Sequence, residues 1–146
     1  MKRMIAIIFV SLLPLACDHT ESLLQNLSGM VNPHERWQSL RLSNYSIEQE
    51  HLCFCRAPHW YKVIVKNRRV SEVLGLNGEK LPLTSEIMSV EQIFDWIEKL
   101  RAQHPEKLEV NYNPEHGYPE RILFGYSANT ANGEFTLALR NLKHEP

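Results

Sequence analysis

Residues 89–105 read SVEQIFDWIEKLRAQHP, and this stretch decides the fold. Ser89 and Gln92 have the spacing of a capping box, in which each side chain satisfies the other's backbone N–H at a helix start. Val90, Ile93, Phe94, Ile97 and Leu100 then recur at three- and four-residue steps, with Trp96 at the flank. That is one apolar stripe along a helix. His104-Pro105 ends it, because the residue before a proline is pushed out of the helical region. A helix with so continuous a stripe needs an apolar surface to lie on.

The flanking sequence offers strands as that surface. Upstream, residues 76–88 hold Gly78 and Pro82 among scattered apolar residues and read as a loop. Residues 60–65 and 70–74 are rich in aromatic and β-branched side chains and face each other across the polar turn Lys66-Asn67-Arg68-Arg69, a hairpin. Before them Tyr45, Ile47, Gln49, His51, Cys53 and Cys55 share one face of a strand that Pro58 breaks. Asn32-Pro33-His34-Glu35 starts a short helix, with a capping Asn and Pro in the first turn. Trp37 and Leu40 share its face, and it is expected to end near Ser43-Asn44.

Downstream, Leu108, Val110 and Tyr112 alternate, and Asn113-Pro114-Glu115-His116-Gly117 is a turn. Ile122, Phe124 and Tyr126 alternate again. Asn132-Gly133 is a strong hairpin dipeptide, and Phe135, Leu137 and Leu139 close the pattern. Strands joined by short turns are antiparallel. The expectation is a single α+β domain over residues 32–146. Its antiparallel sheet has about six strands, with the main helix and the short N-terminal helix packed on one face.

Composition bounds the function classes. The chain has 146 residues, 43% hydrophobic and 23% charged, with 16 Lys and Arg against 17 Asp and Glu. That balance suits one globular domain and excludes a disordered tail or a polybasic nucleic-acid binder. Only one long apolar run exists, so a multi-span membrane protein is excluded as well.

That run lies at the N-terminus. Lys2 and Arg3 precede a ten-residue run, 4–13, that is apolar but for Ser11 and too short for the ~20 that span a bilayer. The length suits the h-region of a secretory signal. Leu13-Pro14-Leu15-Ala16-Cys17 resembles a bacterial lipobox, in which Cys17 is lipidated and becomes the mature N-terminus. A plain secretory signal or an uncleaved anchor are the alternatives. Asp18 resembles an inner-membrane retention signal. The reading is therefore signal 1–17, tether 18–31 and domain 32–146. The protein is expected in the bacterial cell envelope, lipid-anchored at the periplasmic face of the inner membrane. Removing residues 1–17 takes away Lys2 and Arg3 and leaves 14 positive against 17 negative residues. The domain itself has no electrostatic pull toward an anionic bilayer.

Of three cysteines, Cys17 goes to the lipid and Cys53 and Cys55 remain. An even pair in an oxidising compartment points to a disulfide. The pair closes a minimal loop, so its chain-entropy gain is small. The rival is a soft metal site for Cu(I) or Zn²⁺ using His51, Cys53, Cys55 and His59, or a thiol-based redox factor. Against it, one residue separates the cysteines and a strand sends their side chains out in parallel.

Several motifs fall in order: Trp37, Tyr45, Cys53-Phe54-Cys55, the strands around the Lys66–Arg69 turn, Ser89-Val90-Glu91-Gln92-Ile93-Phe94, Tyr112-Asn113 and Gly117-Tyr118-Pro119. This order resembles the bacterial lipoprotein family catalogued as domain of unknown function 6174, over roughly Trp37 to Leu142. The resemblance implies a location and a fold, and no catalytic residues. In that family's pattern the position of Asn113 usually holds Asp and the turn near Asn132 holds paired acids. Both are neutral here, so the resemblance carries no carboxylate cation site to this chain.

The remaining chemistry is sparse. His116 and Tyr118 are a candidate binding loop, although Gly117 and Tyr118 also suit a purely structural turn. Lys62, Lys66, Arg68 and Arg69 cluster at a hairpin, as solvated edges often do. No nucleophile elbow, phosphate loop or His-Glu-x-x-His motif is present. The sequence therefore reads as a non-catalytic envelope lipoprotein without a cofactor. It would work by binding an unknown envelope protein or ligand and no nucleic acid.

Overall fold

The structure, a computed structural model, describes residues 32–52, 60–125 and 134–145. The signal and tether segments, Cys17, Cys53, Cys55, His59 and the turn at Asn132-Gly133 lie outside the described residues. Among the described residues no helix is long and apolar enough to cross a membrane.

Helix α1 is Pro33–Ser39. Asn32 caps it, its side chain accepting from the N–H of His34 at 2.9 Å. It stops earlier than the expected Ser43-Asn44 because Arg41 takes φ 52°, which no α-helix continues. Helix α2 is Val90–Ala102, and its capping box forms as the sequence predicts. The Ser89 N–H donates to Gln92 Oε1 at 2.9 Å and the Gln92 N–H to Ser89 Oγ at 3.3 Å.

The strands are β1 Tyr45–Leu52, β2 Tyr61–Lys66, β3 Arg69–Gly75, β4 Lys80–Leu81, β5 Lys107–Tyr112, β6 Pro119–Gly125 and β7 Glu134–His144. They form one antiparallel sheet in the order β4-β3-β2-β1-β7-β6-β5. The first and last strands pair at its centre. Helix α2 follows an edge strand, β4, and leads into the opposite edge, β5.

This corrects the α+β expectation. The fold is predominantly β: seven strands, one of them eleven residues long, against helices of seven and thirteen residues. The extra strand lies in the segment read as a loop. Gly78 takes φ 87° and its N–H bonds to the Gly75 carbonyl at 2.9 Å, while the Gly75 N–H bonds to Glu79. That turn folds Lys80–Leu81 back onto Leu74 and Val73. Two residues are too few to show a period, so pattern alone does not reveal the strand.

One face of the sheet holds the core. Tyr45, Ile47, Val63, Val65, Val73, Ile122, Leu137 and Leu139 are buried there beneath Val90, Ile93, Phe94, Ile97 and Leu100 of α2. Trp96 closes the flank, edge-on to Phe124 and Phe135 at 6.3 and 6.0 Å. Phe94 stacks on His34 of α1 at 4.3 Å. Trp37 of α1 meets Tyr45 and Tyr118 edge-on at 5.2 and 6.5 Å. Both helices thus lie on this face, and among the described residues no helix covers the other.

Candidate functional site: the open face of the sheet

The open face is organised by a bulge in β7. Ser46 pairs with Lys143 and Glu48 with Arg140, so Ile47 stands opposite two residues, Asn141 and Leu142. Without the extra residue, the alternation of Leu137 and Leu139 would turn Asn141 into the core. Instead Asn141 takes φ 55°, a conformation Asn tolerates better than most residues, and Leu142 packs on the core.

Arg140 and Asn141, neighbours in sequence, therefore reach one carboxylate. Arg140 Nε donates to Glu48 Oε2 at 2.9 Å and Asn141 Nδ2 donates to the same oxygen at 3.0 Å. The guanidinium carbon of Arg140 lies 3.8 Å from the centroid of the Trp60 ring, a cation–π stack. Lys62 is the register partner of Glu48 on β2. The Glu48 side chain is 14% exposed and that of Arg140 46%. Burial alone would raise the Glu48 carboxyl. The hydrogen bonds from Arg140 and Asn141, with the charges of Arg140 and Lys62, outweigh it and hold the group below its ordinary range. Glu48 is thus ionised near neutral pH. Arg140 is fixed at its inner nitrogen, and neither terminal nitrogen is bonded among the described residues.

Beside this group lies a low floor. Ala138 is two residues before Arg140 on the same face, with Glu50 and Arg121 as its register partners on either side. Leu52 and Leu123, both half-buried, flank Thr136 one step further along. The sequence reading missed this site. Its only local signal is Arg140 directly after the apolar alternation that ends at Leu139.

The residues singled out in sequence fall elsewhere. His51 is on the core face, 5.4 Å edge-on from Phe135 and 5.9 Å from Tyr61 between ring centroids. Cys53, Cys55 and His59, its expected companions, are outside the described residues. Among the described residues no three His, Cys, Asp or Glu side chains gather as a metal site.

His116 and Tyr118 sit at the turn between β5 and β6, beside α1. Asn113 builds that turn: its Oδ1 accepts from the N–H groups of Glu115 and His116 at 3.0 and 2.7 Å, and its Nδ2 donates to Glu120 at 2.7 Å. An aspartate could not make the last bond, which explains a neutral residue here. The His116 ring lies 3.2 Å from Asn113 Oδ1 and Tyr118 is buried against Trp37. Burial, with Glu120 and Glu115 nearby, pushes the Tyr118 hydroxyl up. This turn seats α1.

A buried network ties α2 to the sheet. Tyr45 OH accepts from the Val90 N–H at 2.8 Å and donates to Glu91 Oε2 at 2.8 Å, and Trp37 Nε1 donates to Glu91 Oε1 at 3.3 Å. Burial first, then the Glu91 charge and hydrogen bond, hold the Tyr45 proton far above its usual range. The hydroxyl stays a donor at any ordinary pH, which suits a structural strut.

Fold and site together define a class: a predominantly β domain with one face of its sheet sealed by helices and the other, among the described residues, left open around a fixed guanidinium. The chain belongs to the family of unknown function DUF6174, which matches it over residues 30–144. No curated protein matches the chain.

Proposed function

We propose that this protein is a lipoprotein of the bacterial envelope, anchored through Cys17, whose β domain binds a partner without catalysis on the open face around Arg140. The single observation behind the binding role is the fixed guanidinium. A half-buried carboxylate, a bulge and an indole ring hold it, while the side chain stays 46% exposed and its terminal donors have no bond among the described residues. Anchoring rests on the N-terminal sequence, where residues 4–13 lead to Ala16-Cys17.

Two experiments test the two halves. Cys17→Ser should remove the acyl mass and release the protein from membranes or stall its export. Unchanged mass and fractionation would reject the anchor. A photocrosslinking residue placed at Arg121, on the open face, should give a discrete adduct in the native envelope. The same residue at Glu98, exposed on α2, should give none. Equal labelling from both positions, or none from residue 121, would reject the face as the working surface.

A further inference from the structure

We infer that the open face recognises a carboxylate carried by a polypeptide partner, with Arg140 as the residue that takes it. This deepens the proposed binding role and rests on it.

The donor geometry comes first. Arg140 has one nitrogen, Nε, on Glu48 and its plane against Trp60. What remains is the pair of terminal nitrogens, which bond a planar carboxylate side by side. A surface arginine ordinarily loses much side-chain freedom when it binds. Here the stack and the Glu48 bond have already removed it, so little ordering cost is left for the ligand. The left-handed Asn141 adds the second bond that holds Glu48 in place.

Charge then selects the class of anion. Glu48, Glu50 and Arg121 stand one register step from Ala138 and Arg140, and Lys62 one strand further out, opposite Glu48; with Arg140 that makes three cations against two carboxylates. One positive charge is left over. That complements a single carboxylate, whereas a phosphate dianion would bring one negative charge more than the face can balance.

The shape of the face selects the carrier. The floor at Ala138 is part of an open sheet, and a free small acid would gain little beyond its two hydrogen bonds there. A chain lying across the strands adds contacts. Leu52 and Leu123, half-buried beyond Ala138, can take apolar side chains flanking the acidic one.

The test is a titration of the full chain in detergent micelles, followed by the indole N–H signals of its three tryptophans. The probes are acetyl-Gly-Leu-Glu-Leu-Gly-amide, the same peptide with Gln for Glu, acetate and inorganic phosphate. The Glu peptide should shift the Trp60 signal saturably while the Trp37 and Trp96 signals stay in place. The Gln peptide and acetate should bind at least about tenfold more weakly. Arg140→Lys, which keeps the charge and loses the fork, should weaken the Glu peptide about tenfold with the fold intact. Arg69→Lys, away from the site, should change nothing. Equal binding of the Glu and Gln peptides, acetate binding as tight as the peptide, preference for phosphate, or no Trp60 shift would each overturn the inference. Because no membrane is involved, the outcome separates from that of the proposed function. Peptide binding without an adduct from residue 121 would reject the face as the working surface in the envelope and leave the ligand class standing.

Discussion

A Cβ added at Gly117 would collide with the carbonyl oxygen of Pro33 and stand 3.1 Å from the backbone nitrogen of Trp37. The glycine also takes φ 80°, a conformation that costs an L-residue ~1–2 kcal/mol. Gly117→Ala should therefore lift α1 from its seat and cost at least about 2 kcal/mol by urea unfolding, because overpacking adds to the backbone strain. At Asn113 the expectation depends on pH. Asn113→Asp replaces the donor that Glu120 now receives at 2.7 Å with a second carboxylate. Two like charges so close raise the pKa of the pair. A raised folded-state pKa gives stability that is present at low pH and lost as pH rises. The variant should match the parent near pH 4 and melt below it at pH 7. Equal melting temperatures at both pH values would show that Glu120 does not depend on the Asn113 amide.

At the scale of elements, α2 carries much of the core. Phe94 is 5% exposed between His34 and Tyr112, and truncating a buried Phe costs ~3–5 kcal/mol. Domains of this size have ~5–15 kcal/mol in total, so Phe94→Ala should lower the melting temperature steeply. Glu98→Ala removes an exposed ion pair with Arg101 and should stay within about 0.5 kcal/mol. Helix α2 was legible in the sequence because its signals are local: the Ser89–Gln92 box and a stripe that repeats within one element. The β2–β3 hairpin was legible for the same reason, and Asn67 and Arg68 at its turn both take positive φ. The two-residue β4 was not, although Asn77-Gly78 is the same kind of turn dipeptide as Asn132-Gly133. The Arg140 site was the least legible of all. It depends on the register between strands whose contacting residues, Glu48 and Arg140, are 92 positions apart. It also depends on a bulge that reverses the facing of Asn141 and Leu142.

For the whole molecule, the pairing of the first and last strands makes the sheet close only when both ends of the domain are in place. The Tyr45–Glu91–Trp37 network then binds helix to sheet across the core. Tyr45 and Tyr61 both have hydroxyls pushed well above the ordinary value, mainly by burial. A raised folded-state pKa means stability that is complete below the unfolded value, about 10, and falls as pH rises beyond it. The urea midpoint should therefore drop between pH 9 and pH 11. Tyr45→Phe should drop less over that interval, while losing about 1–3 kcal/mol at pH 7 because the Val90 N–H and Glu91 Oε2 lose their partner. The same pH dependence in parent and variant would place the alkaline loss elsewhere.

The motion of one side chain decides whether the open face is a built site or an ordinary solvated surface. The measurement is the ¹⁵N relaxation of the arginine Nε–H groups in the full chain at pH 6.5. Held by Glu48 and Trp60, Arg140 should show an order parameter close to that of rigid backbone, about 0.85, while the exposed Arg69 stays below about 0.6. Glu48→Gln should lower the Arg140 value, since the charge-assisted bond is lost. An Arg140 as mobile as Arg69 in the parent protein would contradict the account.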